Sequence, residues 1–294
     1  PRWTTTAASS PRQDGGDART TPPGDELRDE AAFFRVASYN VLAEIYATHQ
    51  QYPHCPRWAL EWQYRARRLC DELLATNADV ICLQEAQRDG YERDVAPRLD
   101  RHGYDGVFAQ KSREAMGAAG KVDGCAVLWK RRKFRAVEHR AIEFNELARR
   151  EAKALGGVGT HFKTPREEHA YLLRLVKDNV AQLVVLEAAA APSRGAAAAP
   201  KLLAVANTHL YSNKDSADVK LWQTLHLVRE VDRFVHRATP TPRAPPGQTE
   251  TRRLPLVLAG DLNSAPSSAA YELLARGAVD PAHDDLHKDS ADVK

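Results

Sequence analysis

The sequence has few cysteines, and their spacing excludes two classes of protein. It holds 4 of them, at Cys55, Cys70, Cys82 and Cys125, and no two form a C-x-x-C pair. Zinc sites and disulfide-stapled secreted domains need paired or numerous cysteines, so neither is expected here. We therefore predict buried free thiols in a protein of a reducing compartment.

Long apolar runs and targeting signals are also missing. No run of about eighteen consecutive apolar residues occurs, and a membrane-spanning helix needs such a run. The opening stretch is not acid-poor and has no apolar core, so it resembles neither a transit peptide nor a secretory signal. Because the chain begins at Pro1 rather than Met, we expect its true N-terminus to lie elsewhere. No membrane partner is predicted.

The 294 residues and the net charge of +3 fit one globular domain that could take an anionic substrate. Residues 1–32 are poor in large apolar side chains and are predicted to be a disordered tail. Residues 33–286 form the predicted domain, and residues 287–294 a second disordered segment. Lys288–Lys294 copies Lys214–Lys220 letter for letter. Because nothing else recurs, a duplication or misassembly in the gene explains the copy better than a solenoid repeat.

Apolar spacing predicts three helices. The first places Trp62, Ala66, Leu69 and Leu73 on one face. The second is long and follows Asp215 or Ser216 as its N-cap; its apolar face holds Leu221, Leu225, Val228, Val231 and Val235. The third is short, over residues 269–275, and stops near Gly277.

Strands are predicted from about residue 33 to 40, over 80–85, 122–129 and 182–187, up to position 209, and over 256–261, with a weaker one over 138–144. An Ala-rich spacer over 188–200 is predicted to be a hairpin tip, and residues 239–253 a loop. Strands and helices are mixed without strict alternation, and nucleotide-binding glycines are absent. The fold class is therefore predicted to be α/β, a β-sandwich of two sheets flanked by helices, rather than a Rossmann fold.

Polar side chains stand at the ends of several of these strands. Glu85, His209 and Asp261 each follow an apolar run, and Asn40 follows the first strand. Asp261 and Asn263 are two residues apart, which places both side chains on one side of an extended chain. Each residue alone has a structural explanation, as a turn pair or a core histidine, but strand ends that carry all of them can converge on one pocket. Such a set suits a hard divalent cation and a phosphate ester.

In this order the residues resemble the endonuclease/exonuclease/phosphatase superfamily, and more closely the carbon catabolite repressor-type deadenylases with their angel and nocturnin relatives. The resemblance extends from about Phe33 to about Leu286. Its supporting segments are Tyr39–Glu44, Tyr52–Pro56, Leu60–Arg65, Val122–Ala126, Glu143–Asn145, Lys177–Asn179 and Asp218–Leu221. It implies a four-layer αββα, DNase I-like fold.

The resemblance also implies a role for each site residue. Glu85 is the implied ligand of magnesium, with manganese as the alternative ion, and Asn40 lies beside the metal. Asp261 would activate the attacking water and His209 would hydrogen-bond the phosphoryl oxygens. Asn263 is implied to be a third catalytic residue, which orients the scissile phosphate and the nucleotide. Contacts to substrate are also implied for Lys111 and Asn179.

The implied function is a magnesium-dependent 3′-to-5′ exoribonuclease that shortens the poly(A) tails of mRNA. Its implied partners are the RNA 3′ end and a multi-subunit deadenylase complex, in the cytoplasm or also in the nucleus. Two alternatives stay open. One is a nocturnin-like phosphatase that acts on a dinucleotide 2′-phosphate, and the other is a non-catalytic relative that binds RNA or a deadenylase complex.

The sequence departs from the family pattern in two places. The family closes with Ile-Asp-Tyr and Ser-Asp-His segments that add an Asp and a His to the site, and both are missing here. We therefore expect a C-terminally truncated chain that lacks its last strands and is inactive alone. Relatives that prefer adenine carry a proline shortly after the strand-end histidine, where this chain has Tyr211–Lys214. Adenine preference therefore stays open.

Overall fold

A computed structural model describes residues 33–113, 122–156, 159–189, 201–236 and 254–287. The predicted disordered segment over 1–32 lies outside these described residues, and so does the predicted segment over 287–294 except for its first residue, His287, which is helical. The predicted loop over 239–253 and most of the predicted hairpin tip, from residue 190 to 200, also lie outside them.

Two four-stranded sheets form the centre of the molecule. The first contains β1 (Val36–Asn40), β2 (Val80–Gln87), β3 (Tyr104–Gln110) and β4 (Asp123–Lys130), in the order β1-β2-β4-β3. The second contains β5 (Phe134–Glu143), β6 (Val180–Ala188), β7 (Leu202–His209) and β8 (Leu256–Asp261), in the order β5-β6-β7-β8. Each sheet has one parallel pair, β1 with β2 and β7 with β8, and its other pairs are antiparallel.

Helices cover the outer faces. In chain order they are α1 (Arg57–Leu60), α2 (Trp62–Ala75), α3 (Arg88–Gly90) followed by a π-helical turn (Tyr91–Val95), α4 (Ala96–Arg101), α5 (Phe144–Ala154), α6 (Pro165–Leu175), α7 (Ala217–Val235), α8 (Ala269–Arg276) and α9 (Asp284–His287). None of the helices in the described ranges is long and apolar enough to cross a membrane.

Alternation along β2 explains the layering. Ile81 and Leu83 pack outwards against the helical face of Trp62, Leu69 and Leu73. Val80 and Cys82 point the other way and pack against the second sheet, in a cluster with Val127, Val184, Leu186 and Val205. A strand that is buried on both faces has no polar side, which is why β2 begins with a continuous apolar run. The second sheet packs its outer face against Leu227, Val231 and Phe234 of α7. The predicted helix-flanked sandwich of two sheets is therefore confirmed.

The structure differs from the predicted elements in detail. The weak strand predicted over 138–144 is longer, and its last predicted residue, Phe144, instead begins α5 with its side chain fully buried. Ser216 occupies the N-cap position of α7, but no side chain caps that helix by a hydrogen bond. The short helix predicted over 269–275 is present as α8, and Gly277 ends it in the left-handed conformation, with φ of 78°. Helices α5 and α6 were not predicted.

The four cysteines are free thiols. Cys70, Cys82 and Cys125 are buried, and Cys55 is partly exposed. Burial raises the pKa of Cys82 to about 12, so this thiol stays protonated at neutral pH. It packs inside the sandwich and contributes to its apolar core.

Candidate active site

Four strand ends bring polar side chains into one place. Asn40 is the last residue of β1, and its Nδ2 donates to Oε1 of Glu85 on β2 at 2.9 Å and to Oδ2 of Asp261 on β8 at 3.0 Å. The Nε2 atom of His209, at the end of β7, lies 3.9 Å from each of the same two carboxylate oxygens. One amide nitrogen therefore joins the two sheets at the point where their parallel pairs end. The predicted convergence of these side chains is what the structure shows.

The backbone is strained around this cluster. Glu85 has a φ of 54° and lies where the β2–β4 register shifts, in a bulge between Leu83 and Ala86. Leu42 and Asn263 also have positive φ, at 55° and 47°. A left-handed conformation costs a non-glycine residue about 1–2 kcal/mol, and such residues concentrate at functional sites. The bulge turns the Glu85 carboxylate out of the regular pleat and towards the other strand ends.

A glycine allows β8 to approach β7 at the site. Gly260 has a φ of 145°, and a Cβ atom added to it would lie 2.2 Å from the carbonyl oxygen of Thr208. Only glycine fits this close approach between the two parallel strands. Because Gly260 directly precedes Asp261, any displacement of the backbone here would move the carboxylate of Asp261 away from Asn40.

The electrostatics of the cluster are unbalanced. Within the described ranges, His209 is the only basic side chain whose nitrogen lies within 4.0 Å of the Glu85 and Asp261 carboxylates. Burial lowers the pKa of His209, the positive charge of Lys111 lowers it further, and the two carboxylates oppose this shift only in part. The imidazole is therefore neutral at neutral pH. Among the described residues no lysine or arginine pairs with either carboxylate within 4.0 Å, although the charge of Arg65 acts on Glu85 from a longer distance.

This arrangement fits a hard divalent cation. Magnesium is commonly held by one or two carboxylates while water molecules supply its other ligands. The described part of the chain has no group of three or more His, Cys, Asp and Glu side chains that could hold a metal ion, so most ligands of an ion here would have to be water or substrate oxygens. The Asn40 oxygen accepts from the backbone N–H of Leu42 at 3.0 Å, so the amide nitrogen faces the carboxylates. Glu85 and Asp261 are the residues that could hold the ion. Beside them, Nδ1 of His209 is a buried nitrogen without a hydrogen-bond partner among the described residues.

Lys111 is held in a buried ion cluster beside the site. Its Nζ lies 2.7 Å from Oδ2 of Asp123, and Nη2 of Arg113 donates to Oδ1 of Asp123 at 2.6 Å. The hydroxyl of Tyr46 donates to the same carboxylate at 3.2 Å. Burial alone would lower the pKa of Lys111, but Asp123 outweighs it and the net shift is upward. Lys111 is therefore a permanent cation, and its contact with a substrate stays a prediction.

Asn179 contacts the backbone beneath His209. Its Nδ2 donates to the carbonyl oxygen of His209 at 2.8 Å, and its Oδ1 accepts from Nε2 of Gln223 on α7 at 3.1 Å. The Gln223 oxygen in turn accepts from the backbone N–H of Tyr211 at 2.9 Å. Two buried amides thus clamp the chain on both sides of Leu210. A direct substrate contact by Asn179 stays a prediction.

Asn263 lies between the carboxylates and a cavity. Its backbone N–H donates to Oδ1 of Asp261 at 3.0 Å, and its Nδ2 donates to the Leu210 carbonyl at 2.9 Å. Lys220 donates from Nζ to the carbonyl of Asn263 at 2.9 Å. The adjoining cavity has a volume of about 700 Å³ and is lined by polar side chains that include Lys214, Ser264, Ser267 and His283. A cavity of this size can hold a nucleotide-sized ligand.

Three supporting residues were missed from the sequence. Gln84 on β2 donates to Oδ1 of Asn207 on β7 at 2.8 Å, and Asn207 donates to the Leu83 carbonyl at 2.9 Å. These two fully buried amides join the sheets behind the site. Gln223 is the third. The sequence pattern that could have identified Gln223 is the face of α7 on which Lys220, Gln223 and Thr224 are buried among apolar residues. Polar side chains on a buried face must have partners.

Comparison with known proteins identifies the family. The model of the endonuclease/exonuclease/phosphatase family matches residues 37–290. The chain belongs to this family. Its curated relatives include Carbon catabolite repressor protein 4 homolog 1 from Arabidopsis thaliana, which is 39% identical over 87% of this chain and 39% of its own length. CCR4-NOT transcription complex subunit 6-like-B from Xenopus laevis is 36% identical over 86% of this chain and 45% of its own length. The chain thus spans about two fifths of the length of these relatives.

Solved structures of family members have the same fold. ANGEL2, described as a 2′,3′-cyclic phosphatase, matches with a TM-score of 0.59 and 28% identity over 82% of this chain and 56% of its own. The human Nocturnin catalytic domain with bound sulfate matches with a TM-score of 0.55 and 21% identity, over 86% of this chain and 73% of its own. The second match supports the fold alone. Both agree with the sandwich of two sheets described above.

Proposed function

We propose that the protein is a magnesium-dependent 3′-to-5′ exoribonuclease that shortens the poly(A) tails of mRNA. The observation that carries the proposal is the pair of uncompensated carboxylates, Glu85 and Asp261, joined by Asn40 beside a neutral His209. The name of one relative supports the reaction. The CCR4-Not complex 3′-5′-exoribonuclease subunit Ccr4 from Mycosarcoma maydis is 34% identical over 86% of this chain.

Each side chain has a distinct part in this reaction. Glu85 would hold the magnesium ion, which supplies neutralisation of phosphoryl charge when it is bound. Asp261 accepts a proton from the attacking water, and hydrogen bonds from Asn40 and from the Asn263 backbone fix the orientation of its carboxylate. The neutral His209 donates its N–H to a phosphoryl oxygen. Phosphoryl transfer depends mainly on such positioning and charge stabilisation.

The test is incubation of a version that carries the family's closing Asp and His segments with a 5′-labelled RNA that ends in a 3′ A-tract, because the 294 residues alone are expected to be inactive. We expect stepwise loss of the 3′ adenosines with magnesium, none with excess chelator and none for Asp261→Asn. A matched control is Asp280→Asn, which removes a carboxylate elsewhere in the described chain and should leave the rate unchanged. RNA that is bound but never shortened would overturn the proposal in favour of a non-catalytic relative.

One alternative reaction has an observation of its own. ANGEL2, which is 28% identical, is described as a 2′,3′-cyclic phosphatase in complex with adenosine-2′,3′-vanadate, which makes phosphatase chemistry in general a second candidate. Lys214 also lines the cavity beside Asn263, at a position that could attract an additional phosphate. Under this alternative the protein would release phosphate from a dinucleotide 2′-phosphate. Phosphate release without shortening of RNA would establish it and overturn the exoribonuclease proposal.

The relatives also suggest a partner. Several are named as subunits of the CCR4-NOT complex. We therefore include assembly into a multi-subunit deadenylase complex in the proposal. Co-purification of the tagged protein with such a complex from its own cells is the expected result, and a protein that is recovered alone at physiological salt would contradict this part.

A further inference from the structure

An exposed aromatic pair lies outside the cluster of strand ends. Trp58 on α1 is 58% exposed and Tyr64 on α2 is 40% exposed. Their rings pack edge to face, with centroids 4.9 Å apart and planes at 88°. The guanidinium carbon of Arg68 lies 5.8 Å from the centre of the Tyr64 ring. Single exposed apolar residues are common on proteins, but two contacting rings with an arginine form a defined patch.

The patch is rich in arginine, although Glu61, Asp71 and Glu72 are also exposed on the same segment. Arg57, Arg67 and Arg68 are exposed. None of the three forms an ion pair within 4.0 Å among the described residues, although many other arginines do. We call Arg57, Trp58, Tyr64, Arg67 and Arg68 the Trp58 surface. Unpaired guanidinium groups beside aromatic faces match the phosphates and bases of a single strand.

The Trp58 surface is connected to the active-site loop. Arg65, which follows Tyr64 in α2, donates from Nη1 to the carbonyls of Val41 and Leu42 at 3.1 and 2.7 Å. The backbone N–H of Leu42 donates to the side chain of Asn40. The charge of Glu85 also acts on Arg65, which shows that the start of α2 lies near the site. The start of α2, which carries Tyr64, is therefore hydrogen-bonded to the loop that follows Asn40.

We propose that the Trp58 surface binds single-stranded RNA on the 5′ side of the nucleotide that is removed. This inference rests on the proposed function, because it assumes that the substrate is a strand longer than the site. The bases would stack on Trp58, and the three arginines would contact phosphates. Stacking of this kind is tolerant of sequence, which suits an enzyme that must hold whatever RNA precedes its 3′ end.

The test compares RNA of two lengths in chelator, so that no hydrolysis occurs. Fluorescence anisotropy would measure the dissociation constants of labelled oligoadenylates of about 20 and about 3 nucleotides. Trp58→Ala should raise the constant for the long strand roughly tenfold and that for the short strand less than about twofold. Trp58→Phe should retain most of the affinity. Leu173→Ala is the matched control, because Leu173 is 59% exposed on another helix and has no part in the surface.

Salt dependence gives a second measurement. Replacing Arg67 and Arg68 together by Gln should reduce the slope of log affinity against log salt by about 1.4, which is about 0.7 for each lost contact with a single strand. An unchanged slope, or equal weakening of long and short strands by Trp58→Ala, would overturn the inference. So would unchanged RNA binding with loss of a protein partner.

The two proposals fail in different ways. A wild-type protein that binds long RNA through the Trp58 surface but never shortens it would overturn the exoribonuclease proposal and support this inference. A protein that shortens RNA, while its Trp58→Ala variant binds long RNA as tightly as the wild type, would leave the exoribonuclease proposal intact and overturn this inference.

Discussion

The two sheets carry two groups of carboxylates whose charge environments differ. Asp123 on β4 is fully buried and contacts Lys111, Arg113 and the hydroxyl of Tyr46. Glu85 and Asp261 share one neutral amide and face a neutral imidazole. Asp123 has two cationic partners within the protein, whereas no lysine or arginine of the described residues pairs with Glu85 or Asp261 within 4.0 Å.

The difference separates structural from functional acids. A buried ion cluster is costly to break, because removing one member leaves the others charged and buried. An uncompensated pair of carboxylates instead lowers the free energy of unfolding of the free protein, and binding of a cation raises it again. The two groups should therefore respond in opposite ways to substitution, and the predictions below test that contrast.

The largest expected effect is on catalysis at Glu85. Glu85→Gln removes a cation ligand, so the rate of RNA shortening should fall by several orders of magnitude. The free energy of unfolding should change by less than about 1 kcal/mol, because lost hydrogen bonds are offset by relief of repulsion with Asp261. Single-turnover kinetics and urea titration check the two parts. Near-normal activity would refute the assignment of Glu85 to the metal.

The next effect is on stability at Asp123. Asp123→Asn removes the buried charge that contacts Lys111 and Arg113, so the free energy of unfolding should fall by about 3–5 kcal/mol in urea titration. Asp105→Asn is the control, because it removes an exposed ion pair with Arg131 and should cost less than about 1 kcal/mol. Equal losses of unfolding free energy in the two variants would contradict the structural role assigned to the Asp123 cluster.

Metal addition should then stabilise the protein. At a magnesium concentration about 100 times its dissociation constant, the free energy of unfolding should rise by about 2.7 kcal/mol, and chelator should reverse the gain. Thermal melting with and without the ion measures this difference. The Glu85→Gln variant should show no gain and Asp105→Asn the full gain. A gain that survives Glu85→Gln would show that the ion binds elsewhere.

The smallest effect concerns a fourth carboxylate, Glu151 on α5. It accepts hydrogen bonds from Tyr171 at 2.7 Å and from Trp222 at 2.6 Å, and the ring of His226 lies 3.4 Å away. Burial lowers the pKa of His226 from 6.5, although Glu151 opposes the shift. Burial raises the pKa of Glu151, but the bonds from Tyr171 and Trp222 lower it more, so its net shift from 4.5 is downward.

Both shifts predict a loss of stability in acid. The unfolded chain protonates His226 near pH 6.5 and the folded chain only at lower pH, so the free energy of unfolding falls as pH drops below about 6.5. Glu151 adds a further loss below about pH 4.5. The difference in stability between wild type and His226→Gln should therefore change by on the order of 1 kcal/mol between pH 7 and pH 5. A difference that is constant with pH would contradict this.

Local sequence was sufficient to predict the positions that form the cluster. Asn40, Glu85, His209 and Asp261 each stand at or near the end of an apolar run, and a strand's side-chain alternation is a local property. The two-sheet class followed from the same runs. The bulge that turns Glu85, and the close approach that requires Gly260, depend on neighbouring strands and could not be predicted in this way.

Only the tertiary structure decided which polar residues support the site. Asn207 contacts Gln84 and Leu83, which are 123 and 124 residues away in the chain, and Asn40 contacts Asp261 across 221 residues. Asp123 appears in the sequence as one more polar residue at the start of a strand, and its burial against Lys111 becomes visible only when the strands pack. The sequence by itself therefore determined the chemical groups and their placement on strands. Their partners and charge balance were decided by contacts between distant segments, because burial gives a polar side chain its energetic consequence.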